Sequence, residues 1–125
     1  SGSASANQLF ARCIMRMGVA VSPRNIFPSN IQGLPTWYEV RVNGEGPLGA
    51  RGGTDLLVAM NPETWKRDVA GIDPGGYLFY DNSKPMPESK FRKDINVIGM
   101  PLTEITIKVS PDRARLRNCP AKISA

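Results

Sequence analysis

The chain has 125 residues, 41% of them hydrophobic and 22% charged, with a formal net charge of +5 and no histidine. That length and balance suit one compact globular domain and exclude general disorder; no apolar run is long enough to cross a bilayer, and no basic-then-apolar leader opens the chain, so a cytoplasmic location is expected. Two cysteines without histidine exclude Ser-His and Cys-His catalytic sets and are too few to ligate zinc or an iron–sulfur cluster alone.

The small, polar opening leads into Leu9, Phe10, Cys13, Ile14 and Met17, whose offsets share one helix face. They predict a helix over about 5–17, with Ser3 or Ser5 as its cap, Gly18 at its end and Cys13 as a small buried hydrophobe. Val19 to Val21 reads as a short strand, followed by a loop interrupted by Pro23, Pro28 and Pro35. Thr36 to Val42 alternates Trp37, Glu39 and Arg41 with Tyr38, Val40 and Val42, the period of a half-buried strand, and Asn43-Gly44 supplies a turn.

Leu56 to Met60 is continuously apolar, which predicts a strand buried on both faces. Asn61-Pro62-Glu63 then carries a cap, a proline suited to a first helical position and an acid for the positive helix end, predicting a helix over about 62–70. Gly71 and residues 73–76 lead to a strand from Tyr77 to Tyr80 that ends at Asp81, and Ile95 to Met100 forms a third buried strand closed by Pro101. Ile105, Ile107 and Val109 alternate as a further strand would.

Together these elements predict an α/β fold: a small, Rossmann-like layered domain with a mostly parallel sheet and an antiparallel addition at Trp37 to Val42. The strand that normally precedes the first helix, central in such sheets, is expected to be missing, so residues 1–109 read as an incomplete domain. Residues 110–125 carry four basic side chains against one acid, +3 of the net +5. With no aromatic residue among those charges, the segment reads as a solvated tail and not as a nucleic-acid surface.

Few residues carry obvious chemistry. Ser1, Gly2, Ser3 and Ser5 resemble the later half of a glycine-rich phosphate loop, although the residues alone favour an ordinary capped helix start. Ser29, Asn30 and Gln32, with Gly33 for a close backbone approach, form a polar loop between prolines; it suits either a substrate carboxylate or a plain surface crossover. Asn61, Asp81 and the Pro101 region follow parallel strands, where α/β sheets bind ligands, yet Asn61 is equally a helix cap and Asp81 to Ser83 a turn. Asp55, Glu63 and Asp81 show no acid–base spacing, and Arg41 and Arg51 read as solvent-facing charges.

The run Phe27-Pro-Ser-Asn-Ile-Gln-Gly-Leu-Pro-Thr-Trp-Tyr-Glu-Val-Arg-Val42, followed by Thr54-Asp-Leu-Leu-Val-Ala-Met-Asn-Pro-Glu63, resembles the gamma domain of 2-oxoacid:ferredoxin oxidoreductases. The likeness spans about 4–105 and is greatest to 2-oxoglutarate-type enzymes with gamma and alpha fused in one subunit. It implies a component of a complex that oxidatively decarboxylates a 2-oxoacid, passes the acyl group to coenzyme A and delivers electrons to ferredoxin.

By that resemblance, thiamine diphosphate, magnesium and the iron–sulfur cluster belong to partner alpha and beta domains of an oligomer, and no catalytic residue or metal ligand lies within this chain. Ser29, Asn30, Gln32 and Gly33 match the loop facing the active site; Ser1, Gly2, Ser3 and Ser5 match the glycine-rich loop, and with Asn61 are assigned to coenzyme A. Gln32-Gly33-Leu34 stands where several relatives have Arg-Gly-Gly, and the basic tail stands where they continue with a helix. A free-standing nucleotide- or coenzyme-binding module is the alternative reading, and a structural or nucleic-acid-binding domain a third. No membrane partner is expected.

Overall fold

The computed structural model describes residues 2–26, 35–46 and 52–109. They fall in two compact units, Ser1–Arg51 and Gly52–Ala125.

In the first unit, helix α1 (Gly2–Arg16) packs on an antiparallel pair, β1 (Ala20–Ile26) and β2 (Trp37–Asn43), in which Ala20 faces Asn43 and Ile26 faces Trp37. The helix begins at Gly2, so Ser3 and Ser5 lie inside its first turns and neither is the expected cap. It ends as expected at Gly18, whose φ of 83° needs a residue without Cβ. The face turned to the hairpin differs from the expected one. Ala11 is buried, and Ala4, Asn7 and Ile14, at neighbouring helical positions, are half-buried. Small side chains there let the helix approach the strands closely. Leu9, Phe10 and Met17 are left 63%, 55% and 73% exposed, and Cys13 is an exposed free thiol, not the buried hydrophobe its apolar neighbours suggested.

β1 runs straight through Pro23, which the sequence reading placed in a loop. Each strand of a two-stranded sheet pairs along one edge only, so a missing N–H on the outer edge costs no ladder bond. Arg24 and Glu39 are partners in the register and join at 3.0 Å, while Arg41 reaches the same carboxylate at 2.5 Å. Arg41 is therefore engaged by Glu39 and does not simply face water. Burial raises the Glu39 carboxyl, but bonds from Arg24 and Arg41 outweigh it and hold the group below its usual value. At the expected turn, the Asn43 side chain accepts the Glu45 N–H at 2.9 Å.

The second unit is a parallel sheet in the order β3 (Thr54–Ala59), β4 (Ile72–Asp81), β5 (Asn96–Met100), with α2 (Trp65–Ala70) between β3 and β4 and α3 (Leu102–Val109) after β5. The antiparallel pair expected as an addition to this sheet is a separate sheet. One face carries the core: Ala59, Leu78 and Ile72 with Trp65 and Val69 of α2 and Ile95, supported by Leu57, Tyr80, Met86 and Phe91. Trp65, Tyr80 and Phe91 form an aromatic triangle with ring centroids 5.1–6.1 Å apart, two of its contacts edge-on. The register places Leu56, Val58, Tyr77, Phe79 and Ile98 on the opposite face. Of these, Leu56 is 53% exposed, Val58 48% and Tyr77 47%, so the apolar run at 56–60 is buried on one face only.

β4 starts five residues earlier than predicted, because residues 72–76 join the ladder through an irregularity opposite Thr54–Leu56. Gly75, at φ 83°, takes the bend; its N–H bonds Asp94 O at 2.7 Å and its carbonyl accepts the Asn96 side chain at 2.9 Å. α2 is shorter than the expected 62–70. Residues 62–64 are a turn in which Asn61 Oδ1 accepts the Glu63 N–H at 3.0 Å and Thr64 Oγ1 donates to Asn61 O at 3.3 Å. The far end of α2 is closed by Arg92, which donates to the carbonyls of Val69 at 2.9 Å and Ile72 at 2.8 Å while pairing with Asp94. Residues 102–109 form a helix where alternating Ile105, Ile107 and Val109 suggested a strand.

Candidate functional site

Parallel strands of one sheet end on the same side, and the register brings Ala59 level with Tyr80 and Asp81 level with Met100. Asn61, the Asp81–Ser83 turn and the Pro101–Thr103 corner therefore share the carboxyl edge of the sheet, where open α/β folds bind ligands.

Asp81 organises this edge. Its Oδ1 accepts the Ser83 N–H at 3.0 Å and the Ser83 hydroxyl at 2.7 Å, and its Oδ2 accepts the Thr103 N–H at 3.3 Å and the Thr103 hydroxyl. Ser83 Oγ in turn accepts the Glu104 N–H at 3.4 Å, and the Asn82 N–H donates to Met100 O at 3.1 Å. The carboxylate thus sits on the Thr103 N–H in the first turn of α3, where negative charge and the helix dipole attract. Burial raises its pKa, but the Thr103 and Ser83 bonds prevail and lower it from 3.8 to about 2. A group held ionised by four donors is a positioning anchor and a poor proton donor near neutrality. The same contacts explain why residues 102–109 are helical: Asp81 accepts the Thr103 N–H and Ser83 Oγ the Glu104 N–H at the start of the helix, and Thr106 Oγ1 donates to Leu102 O at 2.7 Å.

Residues 1–121 match the family described as pyruvate ferredoxin/flavodoxin oxidoreductase. The chain belongs to this family. Over 80 residues it is 29% identical to the 2-oxoacid:ferredoxin oxidoreductase 2, subunit alpha, of Aeropyrum pernix, a match covering 64% of this chain and 12% of that relative. The chain accordingly spans a small part of the length of that curated relative.

Within this oxidoreductase family member, Ser29, Asn30, Gln32 and Gly33 lie outside the described residues, as do Ser1 and Arg51. Gly2, Ser3 and Ser5 occupy the first turns of α1, which carry no acidic side chain. Asn61 caps the turn before α2 through its Oδ1. The two sets of candidates, α1 and Asn61, lie in different units.

Among the described residues no three His, Cys, Asp or Glu side chains gather closely enough to hold a metal ion. No described helix is long and apolar enough to cross a membrane.

The sequence marks Asp81 both as a residue at the carboxyl edge and as a turn, and gives no weight to Thr103 or Arg92. The Asp81–Ser83 turn is present, but its second carboxylate oxygen serves a residue 22 positions away. No local pattern reports such a contact. The available signal was positional: an acid and a threonine, each just beyond one of two neighbouring parallel strands.

Proposed function

We propose that residues 1–109 form the gamma-type domain of a 2-oxoacid:ferredoxin oxidoreductase of the kind with gamma and alpha fused, followed by a basic tail at 110–125. Its complex oxidatively decarboxylates a 2-oxoacid, forms the acyl-coenzyme A and passes electrons to ferredoxin. The observation that carries this reading is the family match along residues 1–121, supported by the 2-oxoacid:ferredoxin oxidoreductase alpha subunit that shares 80 aligned residues.

In this reading the division of labour follows from the residues the chain has. Thiamine diphosphate, magnesium and the iron–sulfur cluster are held by partner alpha and beta domains, since two cysteines without histidine make no cluster ligand set. Ser29, Asn30, Gln32 and Gly33 shape the substrate entrance with neutral hydrogen-bonding groups. Ser1, with Gly2, Ser3 and Ser5 in the first turns of α1 and Asn61 at the carboxyl edge, helps hold coenzyme A. The work takes place in the cytoplasm within an oligomeric complex.

The test compares the purified chain with the chain reconstituted with the remaining domains of its enzyme, using 2-oxoglutarate or pyruvate, coenzyme A and a viologen acceptor. Acyl-coenzyme A formation is expected only in the reconstituted complex. Turnover by the 125-residue chain alone would overturn the reading. Calorimetric titration separates it from a free-standing nucleotide module, which would bind NAD and not coenzyme A.

A further inference from the structure

Asn43-Gly44, the single Asn-Gly pair of the chain, closes β2 and takes no part in the carboxyl edge of the other unit. The backbone nitrogen of a residue can attack the side-chain amide of an asparagine just before it, and glycine, with no Cβ, lets the two approach most freely. Whether this happens in a folded chain depends on how the amide is held and on what donates to its oxygen.

The turn after β2 supplies both. Asn43 is paired with Ala20 at one end of the β1–β2 ladder; beyond it the Gly46 N–H bonds Asn43 O at 3.4 Å, and the Glu45 N–H bonds Asn43 Oδ1 at 2.9 Å. The second bond closes a ring of atoms that contains both Asn43 Cγ and the Gly44 nitrogen, so the amide is held beside the peptide that attacks it. Attack places negative charge on Oδ1. The Glu45 N–H already donates to that atom, as a backbone donor does in an oxyanion hole. A Cβ at Gly44 would meet nothing within 4 Å among the described residues, so packing does not lock this corner.

The other described asparagines lack one of these parts. Asn61 precedes Pro62, whose nitrogen has no hydrogen to give up. Asn25 and Asn96 precede the β-branched Ile26 and Val97, and Asn7 precedes Gln8, side chains that crowd the approach. Asn82 precedes the small Ser83, but the Ser83 N–H is bonded to Asp81 Oδ1 at 3.0 Å and the Asn82 N–H to Met100 O at 3.1 Å. The Asn82 side chain also lies against Gly99, where a Cβ would be 2.8 Å from its Nδ2.

We propose that Asn43 is a self-modification site, converted in the folded chain to aspartate and isoaspartate. The Gly44 nitrogen bonds Asn43 Cγ, the Cγ–Nδ2 bond breaks, and ammonia leaves with the hydrogen given up by Gly44. Water then opens the resulting succinimide at either carbonyl. Atoms balance with water as the added reactant and ammonia as the leaving group, and no electron is transferred. Both products place a new carboxylate two residues from Glu45. Isoaspartate also lengthens the main chain by one carbon at the pair with Ala20, which loosens that end of the ladder.

The test incubates the full 125-residue chain at mildly alkaline pH and follows its tryptic peptides by mass. Peptide 42–51 holds Asn43 as its only asparagine, and peptide 68–90 holds only Asn82. In the folded chain, 42–51 is expected to gain one mass unit and to separate into two products, one of them a substrate for isoaspartyl methylation, while 68–90 stays unchanged. In guanidinium chloride both peptides convert. Gly44→Ala suits the turn, since Gly44 has no positive φ, and is expected to slow conversion of the folded chain about tenfold, with circular dichroism checking its fold. The proposal is overturned if 42–51 stays intact in the folded chain while the unfolded chain converts it. Conversion of 68–90 before 42–51 in the folded chain, or of Gly44→Ala at the wild-type rate, overturns it equally.

Discussion

Replacing Asp81 with asparagine removes one negative charge while keeping the side chain's shape, and the structure sets what that charge is worth. The ionised carboxylate accepts four donors from Ser83 and Thr103, and its pKa falls from 3.8 to about 2. Each pKa unit corresponds to about 1.4 kcal/mol, so the shift amounts to about 2 kcal/mol before screening; for a side chain in partial contact with water, about 1 kcal/mol is the expected contribution. A depressed carboxylate contributes stability that is complete above its unfolded value near 4 and disappears as pH falls towards 2. Asp81→Asn is thus expected to lower stability by about 1 kcal/mol at pH 7, with the gap to wild type closing between pH 4 and pH 2. The assay is urea unfolding of the full chain in a Trp37→Phe background, so that fluorescence reports Trp65 and hence the second unit. Thr103→Val, which removes the hydroxyl donor, should show a smaller gap that closes over the same range. A pH-independent loss would refute the reasoning, since it would mean that Asp81 acts through shape or neutral hydrogen bonds and not through charge.

Further substitutions probe the glycines, the core and the Arg92 contacts. A Cβ at Gly76 would lie 2.7 Å from Ile72 Cγ2 and 2.9 Å from the carbonyl oxygens of Asp55 and Asp73, so Gly76→Ala is expected to cost about 2–3 kcal/mol in urea unfolding. Gly75→Ala, strained only by its positive φ, should cost about 1 kcal/mol, and Gly44→Ala, in open space, under about 0.5; equal costs at all three would contradict the close approach at Gly76. Trp65→Ala is expected to lose about 3–5 kcal/mol, because it empties the aromatic triangle and removes the indole donor to Lys90 O at 3.3 Å, and its failure to lower the urea midpoint would remove Trp65 from the core. Arg92→Lys should lower the thermal midpoint although charge is kept, since a lysine ammonium cannot reproduce a planar fork shared between the Val69 and Ile72 carbonyls and Asp94.

The parallel strands were legible because Leu56 to Met60, Tyr77 to Tyr80 and Ile95 to Met100 are apolar runs punctuated by Asn-Pro, Asp-Asn and Pro, and the structure puts β3, β4 and β5 on them. The helix at 102–109 was not legible, because its alternating isoleucines satisfy a strand period equally well and only the distant Asp81 decides between the two. The buried side of α1 was misread for a related reason. Periodicity finds the apolar stripe of a helix but not which neighbour meets it, and here the small residues Ala4 and Ala11 turn toward the hairpin. The loop from Ser29 to Gly33 was legible only by resemblance: neutral polar residues between prolines suit a ligand loop and a surface crossover alike.

The second unit is unequal on its two sides in a way that bears on how it works. α2 and the segment carrying Met86 and Phe91 seal one face of the sheet, and Arg92 and Asp81 fix α2 and α3 at their ends with polar bonds. α3 contributes no buried residue, so its placement relies on the Asp81–Ser83–Thr103 cluster more than on packing. Direction at the carboxyl edge is therefore set by hydrogen bonds, which are geometrically selective, while the apolar area that would ordinarily stabilise the unit lies on the bare face. The carboxyl edge thus keeps its shape through the Asp81–Ser83–Thr103 bonds, while Leu56, Val58 and Tyr77 on the opposite face add little buried area to the unit.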